Sequence, residues 1–310
     1  MGAGVLVVGG SGFVGRAVVR ALLAEGLCVR VLDPNVSGLP AGATAIAGSI
    51  EDGACLRAIL ATDPPAAVVA LAAFGYGREG LGRGAERDPE RAIAVNVLGL
   101  RRLLEAAREA GVGRVVFTSS SVVYGAATSF ARVGETAARA PAGIYALSKT
   151  MAEEVAAFMR RCHGQPVVGL RIPLMLGPGL WYDGAAAWVK QLVGVAAPGA
   201  RPTVAVPAGP FDALHVADLG RLIVRLLQGA PAPSPLYNVA GFTTDAGAVA
   251  AMFAELVPGY LPELRAAPPP IRFPLMSEEL LRREIGFTPA HDLRAVLADM
   301  LAERMEGNPR

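Results

Sequence analysis

Only three of the 310 residues are cysteines, Cys28, Cys55 and Cys162, and they stand singly, without CxxC spacing or an even count. That excludes a disulfide framework and leaves no thiolate cluster for a metal, so no metal site is expected. Long hydrophobic runs are missing too: none approaches the roughly 20 residues a helix needs to span a bilayer, so no membrane partner is expected. The strand-like Val5 to Val8 follows Met1 too closely for a secretory signal. A cytoplasmic protein is the expectation. Charge of one sign is also lacking, with 29 basic against 27 acidic residues and no block of Lys or Arg. Nucleic acid, which demands a basic footprint, is thereby excluded as a partner. Charged residues make up only 18% and hydrophobic ones 53%, which excludes a disordered chain and supplies a sizeable core.

A chain of this length suggests one large domain with a smaller appendage. Short apolar runs alternate with stretches of helical period at Val5 to Val8, Cys28 to Leu32, Thr44 to Ala47, Ala67 to Leu71, Arg114 to Thr118 and Val167 to Ile172. Strands that are apolar on both faces and separated by helices predict an α/β fold with a doubly wound parallel sheet. Val97, Leu100, Leu103, Leu104 and Ala107 form a helix stripe that stops at Gly111. After Pro173 the pattern breaks into short elements punctuated by Gly and Pro, as in PLMLGPG, VAAPGARP and VPAGP. The expected division is therefore 1–173 for a nucleotide-binding domain carrying the chemistry and 174–310 for a mainly substrate-binding subdomain, some of whose segments return to the sheet. Four prolines between Ala266 and Pro274 forbid a helix there, and Asp292 to Met305 regains helical spacing.

The first strand runs into GGSGFVG, in which Gly10, Gly12 and Gly15 satisfy GxGxxG and Gly9, Gly12 and Gly15 satisfy GxxGxxG. A turn this tight aims a helix N-terminus at a pyrophosphate with no Cβ in the way. The second strand ends in Asp33, 18 residues beyond Gly15, where a carboxylate can accept hydrogen bonds from the adenosine ribose. That carboxylate would repel the 2'-phosphate of NADP, and no Arg or Lys occurs from Pro34 to Ala47, so NAD is the expected cofactor. Further on, Ser120 ends the fifth strand in SSSVVYG, and 25 residues later YALSK sets Tyr145 and Lys149 four apart on one helix face. An ammonium there can lower the phenol pKa from about 10, and Ser120 can bond the substrate oxygen.

These residues resemble those of the short-chain dehydrogenase/reductase superfamily. The whole chain is similar to its extended branch, the NAD-dependent epimerase/dehydratase family, through GGSGFVG, Asp33, ALAA at Ala70 to Ala73, Asn96 in VNVLG, SSSVVYG, YALSK, RIPLMLGPG, DALHVADL at Asp212 to Leu219, and GFTP at Gly286 to Pro289. The resemblance implies a Rossmann fold and a catalytic set of Ser120, Tyr145 and Lys149. Asn96 would order the helix and a water that relays protons to the lysine. It implies a cofactor site at Gly9, Gly12, Phe13, Val14, Gly15, Asp33, Ser49, Ile50, Leu71, Ala72, Ala73, Tyr145, Lys149 and Pro173. It also implies a homodimer, built on the helix from about Pro89 to Ala110 and the helix of Tyr145.

Three departures from the family narrow the activity. The two positions after Ser120, where dehydratases carry an acid and a base, hold Ser121 and Val122. Leu174 and Phe211 stand where sugar-nucleotide enzymes of the family tend to have an Asn and an Arg serving the diphosphate, and a phenyl ring cannot replace a bidentate guanidinium. The leading expectation is an NAD-dependent oxidoreductase acting on a small or moderately apolar hydroxy compound. The alternatives are a sugar or sugar-nucleotide epimerase with tightly bound NAD and a non-catalytic dinucleotide sensor, for which a proton relay would be superfluous. Arg78, Arg83 and Arg87, in GYGREGLGRGAER after the fourth strand, read either as partners of a substrate carboxylate or phosphate or as a solvated loop. Trp181, Tyr182 and Phe211 read as an aromatic substrate lining or as ordinary packing.

Overall fold

A computed structural model describes residues 4–126, 131–229, 233–267 and 274–306. Apart from its ends, the proline-rich Ala266 to Pro274 lies outside them. Seven parallel strands form the central sheet: β1 (Gly4–Val8), β2 (Cys28–Asp33), β3 (Thr44–Ala47), β4 (Ala67–Ala70), β5 (Arg114–Ser120), β6 (Val167–Ile172) and a late strand, Leu236–Asn238. Their spatial order is β3, β2, β1, β4, β5, β6 and then the late strand. The direction of winding reverses between β1 and β4, leaving a crevice at the carboxyl ends of these strands, where ligands of such sheets bind.

The sheet is buried on both faces. Val5 and Val7 of β1 join one apolar cluster and Leu6 and Val8 join the other, so the pleat of a continuously apolar strand feeds two cores. The second core is covered by α2 (Gly53–Thr62), by α5 (Leu100–Glu109) and by α6 (Ile144–His163); α3 (Gly80–Arg87) and α4 (Pro89–Ile93) lie between. The first core is covered by α1 (Phe13–Ala24), against which α8 (Val216–Gln228) packs, with α7 (Ala187–Val195) beside them. Residues after Pro173 thus contribute both a strand to the sheet and much of one covering layer.

Those residues also build two small sheets. In one, β7 (Leu174–Leu176) runs parallel and β11 (Phe242–Thr244) antiparallel to β9 (Phe211–His215); β10 is the late strand of the large sheet. In the other, β8 (Thr203–Pro207) pairs in parallel with β12 (Glu263–Ala267). Three helices complete the chain: α9 (Ala246–Leu256), α10 (Glu279–Ile285) and α11 (Leu293–Met305). The helix expected from Pro89 onward is continuous, but Ala94–Gly99 is wound as a π-helix, and the run stops before Gly111 at φ +68° as anticipated. A π-bulge of this kind re-aims the side chains it carries. Here it carries Asn96.

Candidate active site

The glycine turn is shaped by backbone contacts that leave no room for side chains. Gly9 has φ +87°, donates its N–H to Leu32 O at 2.9 Å, and sits so close to the segment after β4 that a Cβ would lie 2.5 Å from Ala72 N. A Cβ on Gly15 would lie 2.3 Å from Gly9 O. Gly12 differs: it is exposed, begins α1 without a side-chain cap, and a Cβ there would meet its nearest neighbour, Gly9 O, at an ordinary contact of 3.7 Å. Packing does not account for a glycine there, whereas an anion on the bare N-terminus of α1, with Phe13 and Val14 in its first turn, does. Ser11 Oγ, next to it, is buried without a hydrogen-bond partner among the described residues. These features fit a dinucleotide pyrophosphate.

Asp33 stands at the end of β2, its Oδ2 accepting Ser11 N–H at 3.2 Å and its Oδ1 accepting Asn35 N–H at 3.0 Å. The two loops that would flank an adenosine are thereby tied together. Ser49 and Ile50 follow β3; Ser49 Oγ accepts Glu51 N–H at 3.1 Å, and buried Ile50 packs where a Cβ on Gly99 would meet it at 2.8 Å. One residue here was missed from sequence. Arg16, on α1, bonds Ser11 O at 2.8 Å and Ser37 O at 3.2 Å, so a guanidinium borders the very segment in which the sequence shows none.

Leu71, Ala72 and Ala73 lie past the end of β4, half-buried, with Leu71 N–H donated to Val8 O at 2.8 Å. Opposite them, Ser120 ends β5, and Pro173 is buried between β6 and β7. Tyr145 and Lys149 occupy the first turns of α6, the ammonium fully buried and donating to Thr118 O at 2.9 Å. Asn96 is the clamp between these parts: its Oδ1 accepts Phe74 N–H at 2.8 Å and its Nδ2 donates to Ser148 Oγ at 2.9 Å. A cavity of about 10 Å³, the room of one water, lies among Asn96, Thr118 and Lys149. Nothing in the sequence hinted that Glu86 of α3 accepts the Ile144 N–H at 2.6 Å, capping the helix that carries Tyr145.

The electrostatics depart from expectation at one point. Burial pushes the Tyr145 phenol above its ordinary value, the nearby Tyr182 phenol adds to this, and the Ser120 hydrogen bond opposes it. The Lys149 Nζ lies 5.8 Å from the Tyr145 ring centre and is engaged with Thr118 O. Burial brings Lys149 itself down to about 8, with the Glu153 carboxylate resisting the fall.

The loop arginines are neither free nor merely solvated. Asp183 N–H is donated to Arg78 O at 2.6 Å, Arg78 Nε lies 3.5 Å from Asp183 Oδ2, and Arg83 bonds Asp183 O. Lys190 bonds both Trp181 O at 2.9 Å and the Asp183 carboxylate. Arg87 instead pairs with Glu79 at 2.7 Å and covers the Tyr76 ring. The loop after β4 and the segment after β7 are thus clasped, and the clasp seats Tyr182 edge-on against Phe13 and Trp181, at ring distances of 6.1 and 5.7 Å. Phe211 is drawn away into packing with Trp188 at 5.8 Å.

A glycine-turn nucleotide cradle at the reversal point of a doubly wound sheet defines an α/β dinucleotide-binding enzyme class. The profile of the NAD dependent epimerase/dehydratase family matches residues 5–240, and the chain belongs to that family. The extended short-chain dehydrogenase/reductase resemblance is thereby established, and with it NAD dependence. The chain is 28% identical to a UDP-glucose 4-epimerase of Streptomyces lividans over 95% of its own length and 94% of that protein. Its match to the UDP-glucose 4-epimerase of Lactobacillus helveticus is 32% identical over 54% of this chain and spans half of that protein's length. Among solved structures, the UDP-glucose 4-epimerase of Thermus thermophilus in complex with NAD superposes with a TM-score of 0.81 at 28% identity, covering 96% of this chain and 98% of that one.

Proposed function

We propose that the protein is an NAD-dependent oxidoreductase that moves a hydride at the carbonyl or alcohol carbon of a small or moderately apolar hydroxy compound, with Tyr145 as proton donor and acceptor. The observation that carries this reading is the gathering of Ser120, Tyr145 and Lys149 at the carboxyl end of β5, Tyr145 bonded to Ser120 and Lys149 to Thr118 O, next to β4, whose following segment packs against Gly9. NAD, when bound, supplies the hydride acceptor or donor. The chain's own groups handle the proton. Ser120 orients the substrate oxygen, and Tyr145, its phenol kept neutral by burial, is set to protonate a carbonyl oxygen. Lys149 holds a positive charge beneath it, and the water-sized cavity beside Asn96 gives that charge a proton outlet.

A second reading, sugar-nucleotide epimerisation with NAD retained, is favoured by the full-length similarity to the Streptomyces lividans epimerase. Against it stand Leu174 and Phe211, which offer a diphosphate no hydrogen bond. Absorbance at about 340 nm, the band of reduced nicotinamide, separates the two over a panel of alcohols, sugar acids and sugar nucleotides. An oxidoreductase accumulates reduced cofactor in proportion to substrate consumed; an epimerase shows at most one equivalent per chain.

The same reading includes a homodimer. Leu147, Met151 and Phe158 form an exposed apolar stripe along α6, beside exposed Leu98 on the π-helix, and such stripes are covered by symmetric partners. Light scattering that returned the mass of one chain at all concentrations would remove it. A cytoplasmic location belongs to this proposal as well; among the described residues no helix is long and apolar enough to cross a membrane.

A further inference from the structure

The sequence uses lysine twice, at Lys149 and Lys190, among 29 cationic side chains. Arginine serves everywhere else, so the two ammonium groups of the chain can be told apart by a single substitution. Lys149 is buried to 4% exposure, and a buried ammonium loses its proton readily unless a countercharge holds it. One turn further along α6, on the same face, stands Glu153, itself 5% exposed.

We propose that Glu153 is a positioning residue of this site: its carboxylate keeps the Lys149 ammonium charged and fixes the end of β5 that presents Ser120. The hydrogen bonds hold Glu153 in one place. Ser119 Oγ, from the residue before Ser120, donates to Glu153 Oε1 at 2.6 Å; Arg171 on β6 donates Nε to Oε1 at 2.9 Å and Nη2 to Oε2 at 2.7 Å; Arg139 donates to Oε2 at 3.1 Å. Both guanidiniums grip the carboxylate from β6 and from the segment before α6, bordering a cavity of about 430 Å³ that Glu153 also lines.

The groups that face Lys149 itself are few. Thr118 O on β5 accepts from it, Asn96 and Ser148 beside it are neutral, and Tyr145 on its own helix keeps its proton. Glu153, one turn along the same face and 5% exposed, is the anion that favours the ammonium against burial, with Arg171 and Arg139 on its carboxylate as the cations nearest to it in turn. Tyr145, Lys149 and Glu153 at successive turns therefore form a line from the reacting oxygen to a carboxylate anchored on β5 and β6.

This inference rests on Lys149 belonging to the site, but its test needs no substrate. Protein labelled with 13C at lysine Cε gives two lysine side-chain signals, assigned by Lys190→Arg, whose pH titration reads the Lys149 pKa in the intact chain. The wild-type signal should titrate near 8. In Glu153→Gln it should fall by about one unit or more, the effect of losing an adjacent opposite charge, while Glu153→Asp should recover most of the loss. Glu153→Gln strands the buried Arg171 and puts folding at risk; Glu153→Gln with Arg171→Met removes both charges, and its Lys149 pKa should lie below that of Arg171→Met alone, in which the carboxylate remains. An unchanged Lys149 pKa in folded Glu153→Gln, an unchanged value in the double variant relative to Arg171→Met, or a wild-type value below about 6.5, overturns the proposal. Failure here leaves the role of Tyr145 standing, because that role is read from turnover and not from the lysine titration.

Discussion

Up to Pro173 the chain is shaped by parallel ladders and by glycines at which no side chain fits, whereas beyond Pro173 it is tied by buried carboxylates that reach backbone N–H groups 37 to 73 residues away. Asp212 accepts Met276 N–H at 2.7 Å, Glu278 accepts Ala240 and Gly241 N–H at 3.1 Å each, and fully buried Asp218 accepts Ala290 and His291 N–H at 3.0 Å each. Steric exclusion in the main chain shapes the glycine turn, and it recurs later at Gly241, where a Cβ would lie 2.2 Å from Ala213 O. The later half adds a handful of buried carboxylates that satisfy otherwise orphaned donors.

The sharpest way to break this contrast is Asp218→Ala. It strands the N–H groups of Ala290 and His291 and takes the carboxylate away from the Arg221 and His291 side chains, and should cost on the order of 2–4 kcal/mol in urea unfolding. A loss below about 1 kcal/mol would mean that the later half is not held in this way. Burial works against the Asp218 charge, but the N–H groups of Ala290 and His291 with the His291 and Arg221 side chains outweigh it and hold the carboxyl below its ordinary value. The stability it brings is therefore full above about pH 4 and is lost as pH falls through the lower folded value. Asp218→Asn should flatten that acid limb. In the nucleotide half, Gly15→Ala drives a Cβ into Gly9 O and should cost about 1–3 kcal/mol and weaken NAD with it. Unchanged NAD affinity in a calorimetric titration would show that the turn yields.

The smallest effect is expected at Asp33→Ala, which leaves the fold intact. It should weaken NAD and narrow discrimination against NADP by about tenfold, near 1.4 kcal/mol. Because Arg16 borders the same loop, the gain for NADP should disappear in Asp33→Ala with Arg16→Ala. An unaltered cofactor preference in the single variant would remove Asp33 from the ribose site.

What was legible in the sequence follows the same division. Val5 to Val8, GGSGFVG and the spacing from Tyr145 to Lys149 can be read because steric demands act between near neighbours and leave a periodic or fixed-gap mark. All six early strands lie where the apolar runs put them, with β5 extending to Ser120. The clasp of Arg78, Arg83 and Lys190 around Asp183, the capping of α6 by Glu86 and the approach of Arg16 to Ser37 leave no such mark, since each depends on groups that only the fold brings together. The π-turn around Asn96 was equally hidden, because one extra residue in a helical turn does not disturb the apolar stripe on either side. The raised pKa of Tyr145 was missed for a related reason: i and i+4 spacing fixes a shared face but not burial, and burial is what raises the phenol most.

The central claim is that Tyr145 carries the proton while the cradle holds the cofactor, and Tyr145→Phe isolates it by deleting one hydroxyl and keeping the ring. Turnover of a compound that the wild-type protein oxidises or reduces, followed at about 340 nm, should fall by on the order of 10² to 10⁴, with NAD affinity unchanged. Full turnover in the phenylalanine variant would contradict the account, because the proton would then travel by another group.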